Sequence, residues 1–279
     1  MSIITFVSED MKETGQSMSI AAIATAMAIE HNYKILVFST DFMDTTLENC
    51  FWNANNTKTG LFARANRLDV SNGIEGLVRT LASNRVSGEV IKSYSKPVLQ
   101  DRLDVLQSPK TPDYKIYLNL AENFAQLAEI ANSFYDIVLV DLSGKITKES
   151  KEKMLNISDL VVVSLKQSMS SIINFIKLKT ANNFYNKKNV LLMLGRYNPN
   201  SKYSNKNVAR FLKEKNIPMV VPYNVLFSDE CSEGRIVDYF LKVQKIQGYD
   251  NKDTFFVNQL RGTSQMLEYK MQEKRNGLI

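Results

Sequence analysis

The first 41 residues constrain the fold more than any other part of the chain. They read as an apolar strand, Ser2-Ile-Ile-Thr-Phe-Val-Ser8, a loop running from Glu9 to Ser17, an alanine-rich helical stretch, and a second apolar strand ending Ser39-Thr40-Asp41. A strand, a loop with glycine next to the helix start, a helix and a second strand form the layout of a phosphate-binding loop, whose full motif is Gly-x-x-x-x-Gly-Lys-[Ser/Thr]. Only the second glycine, Gly15, and the hydroxyl, Ser17, are present, and Gln16 stands at the lysine position. Exchanging a charged hydrogen bond to phosphate for a neutral amide forfeits about 1.5–3 kcal/mol. Glu9, Asp10 and Glu13 add repulsion, and Lys12 is the loop's one cation. The architecture of a nucleotide-binding domain is predicted, and fast phosphoryl transfer is not.

The rest of the chain alternates apolar runs with helical patterns. Strands are predicted at 3–7, 35–39, 103–107, 137–141, 160–165, 190–194 and 218–221, and helices at 17–31, 74–83, 119–133, 149–156, 168–185, 203–215, 231–243 and 254–273. The runs Ile137-Val-Leu-Val140 and Leu160-Val-Val-Val-Ser-Leu165 are almost wholly apolar, as strands covered on both faces of a parallel sheet must be. The predicted class is α/β: a doubly wound, mostly parallel sheet of about seven or eight strands flanked by helices, with right-handed crossovers. No repeat or Pro/Gly-rich linker divides the chain, so residues 1–279 are expected to form a single domain, with 42–102 an elaborated connection and 252–279 a C-terminal helix.

No run of about 18 apolar residues occurs, so no membrane-spanning helix is expected, and the N-terminal apolar stretch is too short for a signal sequence. These features predict a cytoplasmic protein, with a peripheral place at the inner face of the membrane as an option. The two cysteines, Cys50 and Cys231, match no metal or disulfide pattern and read as buried thiols. The single histidine, His31, follows the first helix and is read as a helix-end cation or a surface residue. Residues 145–215 hold 15 Lys/Arg against 4 Asp/Glu, a surplus larger than the +6 of the whole chain, so the remainder is net acidic. Such a segment could steer DNA, RNA, an anionic membrane or an acidic partner, and solvated helix faces account for it equally.

Open parallel sheets bind ligands beyond the carboxyl ends of their strands. Asp41 and Asp141 both end apolar strands, where an acid can hold magnesium directly or through water, although such an acid also serves as a helix cap. With the Ser17 hydroxyl they make a magnesium shell. Two later exits, Leu194-Gly-Arg-Tyr-Asn-Pro199 and Val221-Pro-Tyr-Asn224, carry turn-forming residues.

These motifs together resemble the ParA/MinD superfamily of deviant Walker ATPases over nearly the whole length. The family pattern Lys-Gly-Gly-x-Gly-Lys-[Thr/Ser], laid on residues 11–17, matches at Gly15 and Ser17, with Met11 at the signature lysine and Lys12 one place away. Tyr135-Asp-Ile-Val-Leu-Val-Asp141 looks like the Walker B strand, Ser158-Asp-Leu-Val-Val-Val163 like the strand after it, and Arg196-Tyr-Asn-Pro199 like the segment beside the base, with Gly195 where that segment carries an adenine-reading Asn. Val221-Pro-Tyr-Asn224 with Cys231-Ser-Glu-Gly234, and Leu103-Asp-Val-Leu-Gln-Ser-Pro109, are similar to the CpaE/TadZ pilus-assembly branch. The resemblance implies ATP and Mg2+ as ligands, with Lys12, Gly15, Gln16, Ser17, Arg196, Pro222 and Asn224 around the nucleotide. Ser17, Asp41 and Asp141 would hold the metal, Asp41 would also orient water, and a homodimer would form through the nucleotide face. The altered letters point to a degenerate, scaffold-like member with weak or no hydrolysis that localises or assembles an envelope machine such as a pilus or secretion system, with protein partners from that assembly. The alternative is a slow ATP-dependent switch that binds DNA or a partition partner. In the C-terminal helix, Phe256, Leu260, Leu267 and Met271 form a stripe that suits packing on the domain better than a membrane anchor, because the polar face is not strongly basic.

Overall fold

A computed structural model describes residues 1–8, 10, 14–52, 73–81, 87–243 and 252–278. The apolar runs pair into one sheet of eight strands: β1 (Ser2–Val7), β2 (Ile35–Ser39), β3 (Ser95–Leu99), β4 (Leu103–Leu106), β5 (Ile137–Leu142), β6 (Leu160–Leu165), β7 (Val190–Tyr197) and β8 (Met219–Pro222). Their order is β3-β4-β2-β5-β1-β6-β7-β8, and every pairing is parallel except the antiparallel β3–β4 edge. The α/β doubly wound sheet expected from the sequence is therefore the observed one. Strand β3 was not expected. Its sequence, Ser-Lys-Pro-Val-Leu, is half-exposed and carries Pro97, which only an edge strand accommodates.

Helices cover both faces. One face carries α1 (Gln16–Glu30), α2 (Thr46–Asn49), α10 (Val225–Ser232), α11 (Ile236–Val243) and α12 (Lys252–Arg275). The other carries α3 (Gly73–Leu81), α4 (Gly88–Tyr94), α5 (Tyr114–Ala121), α6 (Phe124–Asn132), α7 (Lys148–Ile157), α8 (Met169–Ala181) and α9 (Asn205–Leu212). The helix expected at 119–133 is two helices, α5 and α6, with the junction at Glu122–Asn123, and the one expected at 231–243 is likewise divided between α10 and α11. Residues 82 and 83 of another expected helix lie outside the described residues.

Helix α1 is apolar all round and almost wholly buried, because sheet lies on one side and α2, α11 and α12 on the other. Its five alanines allow that close approach. Cys50 and Cys231 are buried free thiols in this layer, and the Cys231 thiol is pushed up by its hydrogen bond to Cys50 and by burial. His31 ends α1 and lies 3.1 Å from a Glu268 carboxylate oxygen.

The C-terminal helix turns its apolar stripe inward. Phe256, Leu260, Leu267 and Met271 are all buried, and Phe256 packs its ring 4.7 Å from Phe227 and 5.9 Å from Tyr239. Thr263 Oγ1 donates to the Val220 carbonyl at 2.8 Å and accepts from its N–H at 3.3 Å, so the helix closes the β8 edge that would otherwise be open to pairing. Among the described residues, no helix is long and apolar enough to cross a membrane. Truncation of Phe256 to alanine is expected to lower unfolding free energy by about 3–5 kcal/mol in urea titrations, the cost of an aromatic-sized core cavity. A change below about 1 kcal/mol would mean that the helix is not part of the folded unit.

Candidate functional site

The carboxyl ends of β1, β2, β5 and β7 position the residues singled out from the sequence. Registry places Asp141 beside Phe6 on one side and Ser39 on the other, so the loop after β1 and the turn after β2 flank the same carboxylate. The loop starts by bending towards β6. Ser8 Oγ donates to the carbonyls of Asp10 at 3.0 Å and Ser164 at 3.2 Å, and the Asp10 carboxylate accepts from the Ser171 hydroxyl in the first turn of α8. Asp10 is thus tied to a neighbouring helix. Glu9, Met11, Lys12 and Glu13, with the expectation placed on Lys12, lie outside the described residues.

The loop ends at Gly15, whose φ of 67° is the left-handed conformation that glycine adopts without a steric penalty. A Cβ there would lie 2.6 Å from Arg196 Cγ. Across from it, a Cβ on Gly195 would lie 2.1 Å from the Thr14 carbonyl oxygen. Position 195 therefore cannot carry the base-reading side chain that the resemblance led one to expect, because the loop backbone rests against it. Arg196 itself has φ 49°, a costly conformation for a residue with a side chain, at the irregularity where β7 and β8 lose register. Its guanidinium lies 5.4 Å from the Tyr223 ring centroid.

Gln16, the first residue of α1, turns back into the sheet. Its Nε2 donates to Asp141 Oδ1 at 2.7 Å and to the Phe6 carbonyl at 3.3 Å, while its Oε1 is buried without a partner among the described residues. The amide orientation follows from the carboxylate, since a reversed amide would set oxygen against oxygen. Asp141 is only 6% exposed, and burial pushes its carboxyl up to about 6. Hydrogen bonds from the Gln16 and Ser17 side chains pull it back down, and the Asp41 and Asp44 charges push it up. Thr40 braces this strand end, accepting from Ser143 N–H at 2.9 Å and donating to the Asp141 carbonyl at 3.2 Å, and its own carbonyl accepts from the Tyr117 hydroxyl at 2.8 Å.

Asp41 is engaged elsewhere. Lys145 Nζ donates to Asp41 Oδ1 at 2.8 Å and to the Phe42 carbonyl at 3.3 Å. Asn224 is buried, and both ends of its amide are occupied: Oδ1 caps α10 by accepting from Phe227 N–H at 2.8 Å, and Nδ2 donates to Asp253 at 2.7 Å. Pro222 closes β8 opposite Tyr197. The fold thus brings Gly15, Gln16, Ser17 and Asp141 together, sets Arg196 against them, keeps Asp41 at the neighbouring strand end, and leaves Pro222 and Asn224 in structural roles. Sequence reasoning missed Lys145 and Thr40. Their partners lie between 77 and 104 positions away, out of reach of any local pattern.

The residues at this point fit a magnesium nucleotide only in part. Ser17 and Asp141 are the donor types that magnesium takes. Gln16 supplies no charge to phosphate, and its Nε2 already donates to the Asp141 carboxylate. Among the described residues no group of three or more His, Cys, Asp or Glu side chains gathers to hold a metal. Beyond these strand ends the large apolar side chains Met43, Tyr114, Ile116, Tyr223, Val225 and Leu226 stay exposed. At least four of the 15 basic residues in the 145–215 segment form ion pairs: Lys145 with Asp41, Lys148 with Glu152, Lys153 with Glu149 and Lys179 with Glu214.

No protein-family model matches the chain, and no curated protein matches it. Solved structures do. A ParA family ATPase from Chlorobium tepidum TLS superposes with a TM-score of 0.66 at 19% identity, covering 97% of this chain and 98% of the other. A plasmid partition protein from Borrelia burgdorferi B31 bound to AMPPNP gives 0.60 at 18% identity, covering 96% and 99%. The MinC:MinD cell division protein complex of Aquifex aeolicus gives 0.62 at 18% identity, covering 96% of each. The chain shares the α/β fold of these ParA/MinD structures.

Asp141 gives this site a pH signature. A folded-state value near 6, above the ordinary carboxylate value of 3.8, means the carboxyl's contribution is fully present below about pH 4 and is lost as pH rises to about 6. Asp141→Asn keeps an acceptor for Gln16 and removes the buried charge. It is expected to stabilise the protein by about 2–3 kcal/mol more at pH 7.5 than at pH 4, read from urea unfolding at both values. Equal effects at both pH values would show that the carboxylate is not buried as described.

Proposed function

We propose that this protein is a degenerate ParA/MinD-like scaffold. It dimerises through the carboxyl edge of its sheet, with weak or no ATP hydrolysis, and serves to localise or assemble a cell-envelope machine such as a pilus or secretion system. The observation that carries this reading is the hydrogen bond from Gln16 to Asp141, by which the chain satisfies its own strand-end acid with a neutral side chain. An acid satisfied this way does not need a nucleotide-bound metal as its partner, so the dimer face can be permanent. The exposed apolar residues along that edge support a face that is covered in the working state.

A second reading is a slow ATP-dependent switch, acting with DNA or a partition partner. It draws support from the similarity to the partition protein bound to AMPPNP, and from α1, whose amino end has no side-chain cap and no acid in its first turn. The N–H groups of such a helix end favour phosphate. Protein partners are expected under either reading, as the MinC:MinD complex shows for its own MinD.

Two measurements separate the readings. On the scaffold reading, particle mass by light scattering is that of a dimer and is unchanged by ATP and Mg2+, and titration calorimetry shows no micromolar binding. Gln16→Lys is then expected to raise nucleotide affinity by about ten- to a hundredfold. Micromolar ATP binding by the natural chain, abolished by Asp141→Ala, would establish the switch instead.

A further inference from the structure

The opposite end of the sheet holds a second feature that neither reading uses. Between the amino ends of β6 and β7 lies a cavity of about 390 Å³, lined among others by Asn156, Phe184, Lys187, Lys188, Asn189 and Lys274. Three of these six are lysines, and none of the lining residues is acidic. They arrive from three separate places: Asn156 from the last turn of α7, Phe184 to Asn189 from the turn between α8 and β7, and Lys274 from the last turn of α12.

That turn is fixed in place. Phe184 N–H donates to Asn182 Oδ1 at 2.9 Å, Lys187 N–H to the Phe184 carbonyl at 3.1 Å, and Asn186 Nδ2 to the Lys179 carbonyl at 3.1 Å. Asn189 Nδ2 donates to the Asp159 carbonyl at 3.2 Å, tying the turn to the start of β6. The Lys187 ammonium lies 4.5 Å from the centroid of the Phe184 ring, which holds charge and aromatic face side by side.

Helix carboxyl ends attract ammonium groups, and those of α7 and α12 come near this cavity. Each is worth about half a negative charge and cannot offset three lysines. Glu273 lies close enough to Lys188 to feel its charge, but its carboxylate is held by Lys270 at 2.6 Å. The balance in the cavity is positive, and its donors are ammonium and amide N–H groups, the set that binds phosphate oxygens. We infer that this cavity is a binding site for a small, multiply charged organic phosphate of about nucleotide size. Its phosphates would lie among Lys187, Lys188 and Lys274, and its organic part would lie against Phe184. The site is separate from the carboxyl-edge loop and independent of how that loop is read.

The test is titration of the full chain with inorganic pyrophosphate in EDTA by calorimetry, and then with ADP under the same conditions, which deprive the carboxyl-edge site of magnesium. Saturable binding that weakens with salt is expected, with ADP at least as tight as pyrophosphate. The double substitution Lys188→Glu and Lys274→Glu, both at the protein surface, is expected to cut affinity for each by about tenfold or more. Lys206→Glu on α9, a basic residue remote from the cavity, should leave it within about twofold, and circular dichroism melts should show all variants folded. Absence of pyrophosphate binding in the natural chain, or equal losses in the double variant and the Lys206→Glu control, would overturn the proposal. So would binding to phosphatidylglycerol vesicles that depends on Lys188 and Lys274 without any binding of pyrophosphate or ADP, since the phosphate would then belong to a lipid surface.

Discussion

One hydrogen bond organises the carboxyl edge of this sheet, the 2.7 Å contact from Gln16 Nε2 to Asp141 Oδ1. A carboxylate at the end of a central parallel strand is buried by its neighbours, and burial without a partner is costly. In a phosphate-binding loop a lysine and a metal would share the task of compensating it. Here an amide does so from within the chain, fixing the first turn of α1 to β5 and, through its second contact at Phe6, to β1. The arrangement is neutral on the Gln16 side, so the acid keeps a raised titration point. Among the described residues the Gln16 Oε1 has no partner.

The neighbouring residues at this edge are also held by the chain's own packing. With Thr14 resting on β7, the residue before Arg196 has room only for glycine, and Arg196 takes a left-handed conformation beside Gly15. Gly15 and Arg196 are thus in close approach, and so are Gly195 and Thr14. Asp10 joins α8 and Asp41 joins Lys145, so these two acids are answered by the chain's own groups.

Much of the fold was legible because the physics that sets it is local. Short apolar runs rich in Val, Ile and Leu suit strands buried on both faces, and β5 and β6 were read that way from sequence. The breaks were less visible. Nothing in the helical pattern of 119–133 marks the junction at Glu122–Asn123, and β3 hides behind Pro97. The site was legible in outline at Gly15, Ser17 and Asp141, where motif spacing carries the information. The loss of a lysine at position 16 could be read, but the gain of a partner 125 positions away could not, because it depends on strand registry. Asn224 shows the same limit, since a helix cap and a base reader have the same side chain, and only the contacts to Phe227 and Asp253 distinguish them.

The central claim is that Gln16 and Asp141 act as a coupled pair in the nucleotide-free protein. A double-mutant cycle with Gln16→Ala, Asp141→Ala and the pair, followed by urea unfolding at pH 7.5 in EDTA, measures that coupling directly. The account predicts an interaction free energy of about 1.5–3 kcal/mol, the range for a hydrogen bond to a charged group. Additive single effects, with coupling below about 0.5 kcal/mol, would contradict it.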